Sequence, residues 1–240
     1  MGKPREKLHH SPKEKFVEDR VRRTVALVPK TENQAKFITA LNTNTLILGS
    51  GDAGVGKSYL ACTYAANQYL ENKCRKIIII RPYSPLAGRT AGLIPGNYLE
   101  KLKPFVQQQL NYLEAVLGKA ALEIAIRREE IEIQAIEAIR GRDFENSILI
   151  CDEFQCCLPE EIEAVVTRLS QDSQLIALGD PFQNDVKRGE NGLDYLERII
   201  RSHGIEDTAI IKFTEHDCVR SGMCKAFLIA FKKERQNAKK

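Results

Sequence analysis

One eight-residue segment restricts the fold of this chain more than any other feature of its sequence. Gly51-Asp52-Ala53-Gly54-Val55-Gly56-Lys57-Ser58 matches the pattern Gly-x-x-x-x-Gly-Lys-Ser/Thr of a P-loop. A short β-prone run (45–48) precedes it and small and apolar residues (59–66) follow it, so the required strand–loop–helix context is present. Glycines let such a loop turn backbone N–H groups towards an anion at a helix N-terminus. The segment therefore predicts a nucleoside-triphosphate site.

The chemistry of phosphate suggests a role for each part of this segment. Lys57 is expected to reach the β- and γ-phosphates, and the Ser58 hydroxyl is expected to ligate Mg²⁺. A glycine-rich turn that binds nothing is the alternative, and the matching flanks argue against it. The loop residues predicted to contact the nucleotide are Gly51, Asp52, Ala53, Gly54, Val55, Gly56, Lys57, Ser58 and Tyr59.

A second segment, Ser147-Ile148-Leu149-Ile150-Cys151-Asp152-Glu153, is an apolar strand that ends in two carboxylates, which is the Walker B pattern. Asp152 is expected to hold Mg²⁺, usually through water, because Mg²⁺ keeps several of its waters. Glu153 is expected to orient and polarise the attacking water. Many strands end in acidic residues, but this one lies about 95 residues after Lys57 in an α/β pattern. A glutamate directly after the aspartate favours hydrolysis over transfer of the phosphate to another substrate.

The rest of the chain alternates between strand-length apolar runs and amphipathic helices. This alternation predicts an α/β fold with a parallel sheet and helices on both faces. Strands are predicted at 76–80, 130–133, 174–178 and 209–213, and helices near 99–117, 160–169, 192–201 and 226–233. A Gly-Asp-Pro turn accounts for 179–181 but leaves Gln183 unexplained, so Gln183 is expected to sense the γ-phosphate.

Length and composition limit the class of protein. At 240 residues with 43% hydrophobic content, the chain is expected to form one domain over 25–235. The basic segments 1–24 and 236–240 are expected to be flexible tails that either touch polyanions or simply aid solubility. No apolar run approaches the ~20 residues of a membrane span. A cytoplasmic location with reduced cysteines is therefore expected.

Further motifs make the chain resemble the PhoH-like ATPases, whose RecA-like core is similar to the first motor domain of superfamily-one helicases. The resemblance covers about 31–231 and includes the P-loop and the Walker B carboxylates. Its other landmarks are Asn33-Gln34, Arg81-Pro82, Leu93-Ile94-Pro95-Gly96, Glu100-Lys101, Arg140-Gly141-Arg142, Gly179-Asp180-x-x-Gln183-x-Asp185, Gly192-Leu193 and Asp217-x-Val219-Arg220.

The resemblance implies roles for individual residues. It implies that Gln34 reads adenine, that Gln183 contacts the γ-phosphate and that Arg220 stabilises charge in the transition state. Thr31 is a suitable helix N-cap three residues before Gln34, so a capping box is the structural alternative for this glutamine. The helicase-like analogy assigns contact with single-stranded nucleic acid to the loop arginines Arg81, Arg89, Arg140 and Arg142.

Together, the residues and the resemblance predict Mg²⁺-dependent ATP hydrolysis that is coupled to, or stimulated by, single-stranded RNA or DNA. Translocating helicases use two motor domains, and this sequence holds one. Arg220 therefore either folds back to its own P-loop or reaches the site of an adjacent copy, which would predict a homo-oligomeric ring. Two other functions stay open: a P-loop kinase, which Glu153 and Gln183 argue against, and an ATP-dependent switch that binds a protein partner.

Overall fold

The computed structural model describes residues 23–82, 98–181, 183 and 190–237, so most of the two predicted tails lies outside the described residues. The helices are α1 (Glu32–Thr43), α2 (Lys57–Leu70), α3 (Tyr98–Leu117), α4 (Lys119–Arg127), α5 (Pro159–Val166), α6 (Gly192–His203) and α7 (Gly222–Asn237). The strands are β1 (Leu46–Ser50), β2 (Lys76–Arg81), β3 (Ile131–Ala135), β4 (Ser147–Cys151), β5 (Gln174–Gly179) and β6 (Thr208–Lys212). Single 3-10 turns occur at Ile136–Ala138, Phe154–Cys156 and Glu215–Asp217.

The six strands lie parallel in one sheet with the order β3-β2-β4-β5-β1-β6. The P-loop strand β1 pairs with β5 on one side and with β6 on the other. The Walker B strand β4 pairs with β2 and β5, so β5 separates the two motif strands. The predicted α/β fold with a parallel sheet is thereby confirmed. Because the strands are parallel, the segments that follow them meet at one edge of the sheet.

The side chains of the strands alternate between two cores, one on each face of the sheet. In β2, Ile77 and Ile79 pack into the first core, and Ile78 and Ile80 pack into the second. Helices α1 to α4 contribute to the first core, and α5 and α6 contribute to the second. Truncating one buried isoleucine to alanine typically costs about 2–5 kcal/mol of unfolding free energy. These alternating buried side chains fix the register of the strands and hence the positions of the loops at the carboxyl ends of the strands.

The helices differ from the sequence prediction in number and in length. The predictions include no helix at 119–127, where α4 buries Leu122 and Ala125, too few residues for a clear period. The helix predicted at 160–169 begins at Pro159 and ends at Val166, and the one predicted at 226–233 runs from Gly222 to Asn237. Within the described ranges, no helix is long and apolar enough to cross a membrane.

Candidate nucleotide-binding site

The P-loop connects the carboxyl end of β1 to the first turn of α2, as the sequence predicts. Gly56 is the N-cap residue of α2 with a φ of 90°, and Gly54 has a φ of 83°. Glycine adopts this left-handed backbone at little cost, whereas other residues are strained there. The first-turn N–H groups of α2, which have no partners inside the helix, are available to an anion together with the positive end of the helix dipole.

The Lys57 ammonium is buried within this loop, with 8% of the residue exposed. Its Nζ donates to the carbonyl oxygen of Gly51 at 2.6 Å and to that of Asp52 at 3.0 Å. Burial lowers the pKa of Lys57, and the carboxylates of Asp180 and Asp152 oppose this shift. A buried cation that binds neutral carbonyl oxygens can gain a stronger, charge-assisted bond from a phosphate.

The Walker A serine and the Walker B aspartate are in direct contact. Ser58 Oγ donates to Asp152 Oδ2 at 3.0 Å, and the backbone N–H of Glu153 donates to Asp152 Oδ1 at 3.0 Å. The described residues contain no cluster of three or more His, Cys, Asp or Glu side chains that could hold a metal. A hydroxyl and one carboxylate are the few hard oxygen donors that Mg²⁺ takes from a protein when phosphates and water complete its shell. The residues present therefore fit Mg²⁺ bound together with a nucleotide.

Glu153 adopts a left-handed backbone with a φ of 60°, which is rare for a non-glycine residue and recurs at functional sites. Its carboxylate accepts a hydrogen bond from Gln155 Nε2 at 2.5 Å and forms an ion pair with Arg81 Nη2 at 3.3 Å. Arg81 Nη1 donates to the carbonyl oxygen of Phe105 in α3 at 2.5 Å. The predicted general base is thus paired with an arginine that is itself bound to α3.

A hydrogen-bond network connects Glu153 to the segment after β5. Gln155 is fully buried, its Oε1 accepts from the N–H of Asp180 at 3.0 Å, and its Nε2 donates to the carbonyl oxygen of Gln183 at 3.3 Å. Gln183 Nε2 donates to Asp180 Oδ2 at 2.8 Å. Gln183 is exposed beside the cavity that Lys57 lines, and its contact with the γ-phosphate stays a prediction.

Gln34 combines a capping contact with a contact to the P-loop. Its backbone N–H donates to Thr31 Oγ1 at 3.3 Å, which is one half of a capping box. Its side chain does not close the box: Oε1 accepts from the N–H of Lys30 at 2.8 Å, and Nε2 donates to the carbonyl oxygen of Val55 at 2.9 Å. A primary amide has two donors and two acceptor sites, so one of each is left for an adenine edge.

Arg220 lies against the P-loop of its own chain. The N–H of Val219 donates to the carbonyl oxygen of Gly54 at 3.1 Å, and a Cβ added to Gly54 would lie 2.7 Å from Arg220 Cδ. Asp217 fixes the preceding turn, because its Oδ2 accepts from Asn33 Nδ2 and from the N–H of Thr214, each at 2.8 Å. Although burial opposes it, these hydrogen bonds hold the pKa of Asp217 below its ordinary value. Arg220 therefore contacts the P-loop of its own chain, and its action in cis or on an adjacent copy stays a prediction.

The four arginines predicted to contact nucleic acid occupy different environments. Arg81 lines the candidate cavity and pairs with Glu153, Arg140 is exposed, and Arg142 pairs with Glu132 at 2.8 Å. Arg140 and Arg142 follow β3, at the same sheet edge as Arg81. Arg89 and the family landmarks Leu93-Ile94-Pro95-Gly96 and Asp185 lie outside the described residues.

Most of the residues predicted to form the site line one cavity. Gly51 and Asp52 do not line it; they are buried, and their carbonyl oxygens bind Lys57. Tyr59 lines the cavity and is 43% exposed, and its ring packs edge-on against that of Tyr112, with the ring centroids 5.5 Å apart. The other predicted residues that line the cavity are Gln34, Ala53, Gly54, Val55, Gly56, Lys57, Ser58, Arg81, Asp152, Glu153, Gln183 and Arg220.

Two glutamines of this site are not among the residues predicted from the sequence. Gln155 follows the Walker B glutamate by two residues, and nothing in the pattern there separates it from an exposed turn residue. Gln109, in α3, donates through Nε2 to Asp152 Oδ2. Its position carries a signal, because it lies three residues after Val106 and four before Leu113, on the apolar face of an amphipathic helix.

The chain is similar to proteins of known family. A family model described as PhoH-like protein matches residues 26–232. The PhoH-like protein of Bacillus subtilis (strain 168) is 32% identical over 206 residues, which cover 85% of this chain and 64% of the relative. Protein PhoH of Escherichia coli (strain K12) is 32% identical over 214 residues, which cover 88% and 59%. The chain thus spans about three fifths of the length of these curated relatives.

A solved structure also aligns with the chain. The Sulfolobus solfataricus SWI2/SNF2 ATPase core in complex with dsDNA has a TM-score of 0.45 and 15% identity over 80% of this chain and 45% of that one.

Proposed function

The chain belongs to the PhoH-like protein family of P-loop NTPases, and from this premise we propose that it hydrolyses ATP with Mg²⁺ and that single-stranded RNA or DNA stimulates the reaction. One observation carries the proposal. The hydroxyl of Ser58 and the carboxylate of Asp152, which lie 94 positions apart in the sequence, meet at 3.0 Å beside the buried Lys57 ammonium. The cation proposed to bind phosphate, the oxygens proposed to bind Mg²⁺ and the Glu153 carboxylate therefore belong to residues that line one cavity.

Each residue has a task in this proposal. The P-loop N–H groups and Lys57 bind the phosphates. Ser58 and Asp152 would hold Mg²⁺, which neutralises phosphate charge when bound. Glu153 orients the attacking water and accepts its proton. Gln183 and Arg220, which border the cavity, add a hydrogen bond and a positive charge for the terminal phosphate, the roles that the family resemblance implies.

A second candidate function is an ATP-dependent switch that binds a protein partner. It is favoured by three apolar residues at helical spacing on α7, Met223, Phe227 and Phe231, which are exposed by 74%, 56% and 56%. The two phenylalanine rings lie 5.7 Å apart, and the helix begins two residues after Arg220. Exposed apolar clusters of this kind are typical of interaction surfaces.

Steady-state phosphate release, measured with and without a single-stranded oligonucleotide, tests the proposal. We expect the wild type to release phosphate from ATP only with Mg²⁺, and we expect RNA or DNA to raise the rate severalfold. Phosphate that appears on a small-molecule acceptor instead of in water would indicate a kinase. Tight ATP binding with negligible release under both conditions would favour the protein-binding switch.

The dependence of oligonucleotide binding on salt can identify the nucleic-acid surface. The logarithm of the affinity for a single strand should fall linearly with the logarithm of the salt concentration, with a slope of about −0.7 for each phosphate contact. Arg140→Ala should reduce the slope by about one such contact. The matched control is Arg201→Ala, because Arg201 lies far from Arg140. Arg201 pairs with Glu197, which also binds Lys212 on β6, and β6 and β3 are the two outer strands of the sheet. Equal slopes in wild type and Arg140→Ala would exclude Arg140 from that surface.

Gln34→Ala should narrow the preference for ATP over GTP by roughly 5- to 10-fold, which corresponds to about 1–1.4 kcal/mol for one buried hydrogen bond. The physical reason is the loss of an amide that offers adenine both a donor and an acceptor. Competition between the two nucleotides for a fluorescent ATP analogue measures the change. Thr31→Ala is the control, because it removes the cap oxygen of α1 and leaves the amide in place. If Gln34→Ala lowers the melting temperature and leaves base preference unchanged, Gln34 is a capping residue.

We propose a homo-oligomeric ring with ATP at the subunit boundaries as the quaternary structure, and its support is a role of Arg220 at the site of an adjacent copy. The contact of Arg220 with its own P-loop favours action in cis, and action in cis would leave the ring without that support. A ring would also enclose a single strand in its channel, and light scattering under ATP-saturated conditions would measure the assembly.

A further inference from the structure

Helix α3 contributes a side chain to the metal-binding part of the site that belongs to none of the motifs. Gln109 is 2% exposed, and its Nε2 donates to Oδ2 of Asp152, the same oxygen that accepts from Ser58 Oγ. Its own carbonyl oxygen, Oε1, is buried and has no hydrogen-bond partner among the described residues. Gln109 borders the cavity that Lys57 and Ser58 line.

A buried acceptor without a partner requires an explanation, because almost all buried polar atoms in folded proteins are hydrogen-bonded. Gln109 lies on the apolar face of α3, where a leucine would pack without a polar atom to satisfy. The orientation of the amide is set by its partner. Exchanging its oxygen and nitrogen would bring Oε1 against the Asp152 carboxylate, and two acceptors repel each other. Packing alone therefore does not account for an amide at this position.

The partner that Oε1 lacks is a hydrogen-bond donor. Ser58 and Asp152 are the residues that fit Mg²⁺, and Mg²⁺ keeps several water molecules, each of which donates hydrogen bonds. We propose that Gln109 is a positioning residue for the Mg²⁺–nucleotide complex, in which Nε2 fixes the Asp152 carboxylate and Oε1 accepts a hydrogen bond from a water of the hydrated ion. This inference rests on the proposed function and extends it to a residue outside the motifs. Groups that orient a metal ligand in this way typically change metal affinity or activity 10- to 100-fold when they are mutated.

The test measures how nucleotide binding depends on Mg²⁺, with a fluorescent, non-hydrolysable ATP analogue as the probe. Gln109→Met keeps nearly the same side-chain volume and removes both polar atoms of the amide. We expect the Mg²⁺ concentration for half-maximal binding of the analogue to rise about 10- to 100-fold. Affinity in the presence of a chelator should be unchanged, because the proposal gives Gln109 no contact with the nucleotide itself. Gln107→Leu is the matched control, since Gln107 is exposed on the same helix and bonds Asn111.

A second variant covers the case in which Gln109→Met does not fold. Gln109→Asn keeps the amide but shortens its reach by one methylene, so the Mg²⁺ requirement should shift in the same direction. A purely structural role would lower the melting temperature and would reduce affinity equally with Mg²⁺ and with chelator. That result, or a Mg²⁺ dependence equal to that of the wild type, would overturn the inference.

The wild type separates this inference from the proposed function. If the wild type binds the analogue no better with Mg²⁺ than with chelator, the proposed function fails, and the inference fails with it. If the wild type requires Mg²⁺ and both Gln109 variants respond to Mg²⁺ as the wild type does, only the inference about Gln109 fails.

Discussion

Glu153→Gln is expected to slow ATP hydrolysis by at least ~10²-fold while leaving ATP binding intact, because an amide cannot accept a proton from the attacking water. The substitution preserves the size of the side chain, but it removes the charge that pairs with Arg81. Phosphate release under saturating ATP measures the rate, and titration with a fluorescent ATP analogue measures the affinity. Glu160→Gln is the matched control, since it makes the same chemical change at an exposed residue of α5.

Comparison with Lys57→Ala distinguishes a residue that binds ATP, Lys57, from one that acts in hydrolysis, Glu153. The phosphates lose a charge-assisted partner, so ATP affinity itself should fall. The substitution also removes a buried cation that binds two P-loop carbonyl oxygens, so the melting temperature without nucleotide must be measured alongside. If Glu153→Gln and Lys57→Ala lose nucleotide affinity equally, Glu153 is a binding residue and its assignment as the base is wrong.

Arg220→Ala is expected to reduce hydrolysis by about 10³-fold or more, the scale on which an arginine stabilises charge in phosphoryl transfer. ATP affinity should change little if the arginine acts mainly in the transition state. Lys233→Ala is the control, because it removes an exposed positive charge from α7, the helix that begins two residues after Arg220. An unchanged rate in Arg220→Ala would leave Arg220 as a surface residue that covers Gly54.

A mixture of two inactive variants distinguishes action in cis from action in trans. Arg220→Ala chains are combined with Lys57→Ala chains, so an intact P-loop meets an intact Arg220 only across a boundary between copies. The contact between Arg220 and Gly54 within one chain predicts that the mixture stays inactive. Recovered activity would mean that Arg220 serves an adjacent copy, and it would support the ring.

The parts of this site that the sequence predicts correctly are those that are contiguous in the chain. A P-loop needs a strand, a turn and a helix in succession, and these are β1, 51–56 and α2. Strand ends in a parallel sheet meet at one edge whatever the connections between them, so the position of Glu153 near Lys57 follows from topology. Asn33 and Asp217, noted in the sequence only as family landmarks, prove to bond each other at 2.8 Å.

The contacts that the sequence does not reveal join polar side chains from distant elements. Arg81 and Glu153 are 72 positions apart, and Gln109 and Asp152 are 43 apart. The helicase-like analogy assigns Arg81 to nucleic acid as a loop arginine, whereas in the structure Arg81 is the last residue of β2 and its guanidinium binds Glu153 and the carbonyl oxygen of Phe105. Gln109 stands third in a run of three glutamines, and only its phase relative to the apolar face of α3 distinguishes it. Such contacts depend on how helices pack, which local patterns do not encode.

The order of strands in the sheet also determines when the nucleotide site can form during synthesis. β1 is made early, yet its two neighbours, β5 and β6, come from the last third of the chain. Until the ribosome has supplied them, β1 has two unpaired edges and buried-type apolar residues that need another partner. Pairings between segments so distant in sequence are slow to form, and they expose intermediates to aggregation. The P-loop is therefore translated early, but its strand gains both neighbours only near the end of synthesis. A nascent chain that stops before β6 lacks one of the two strands that pair with β1.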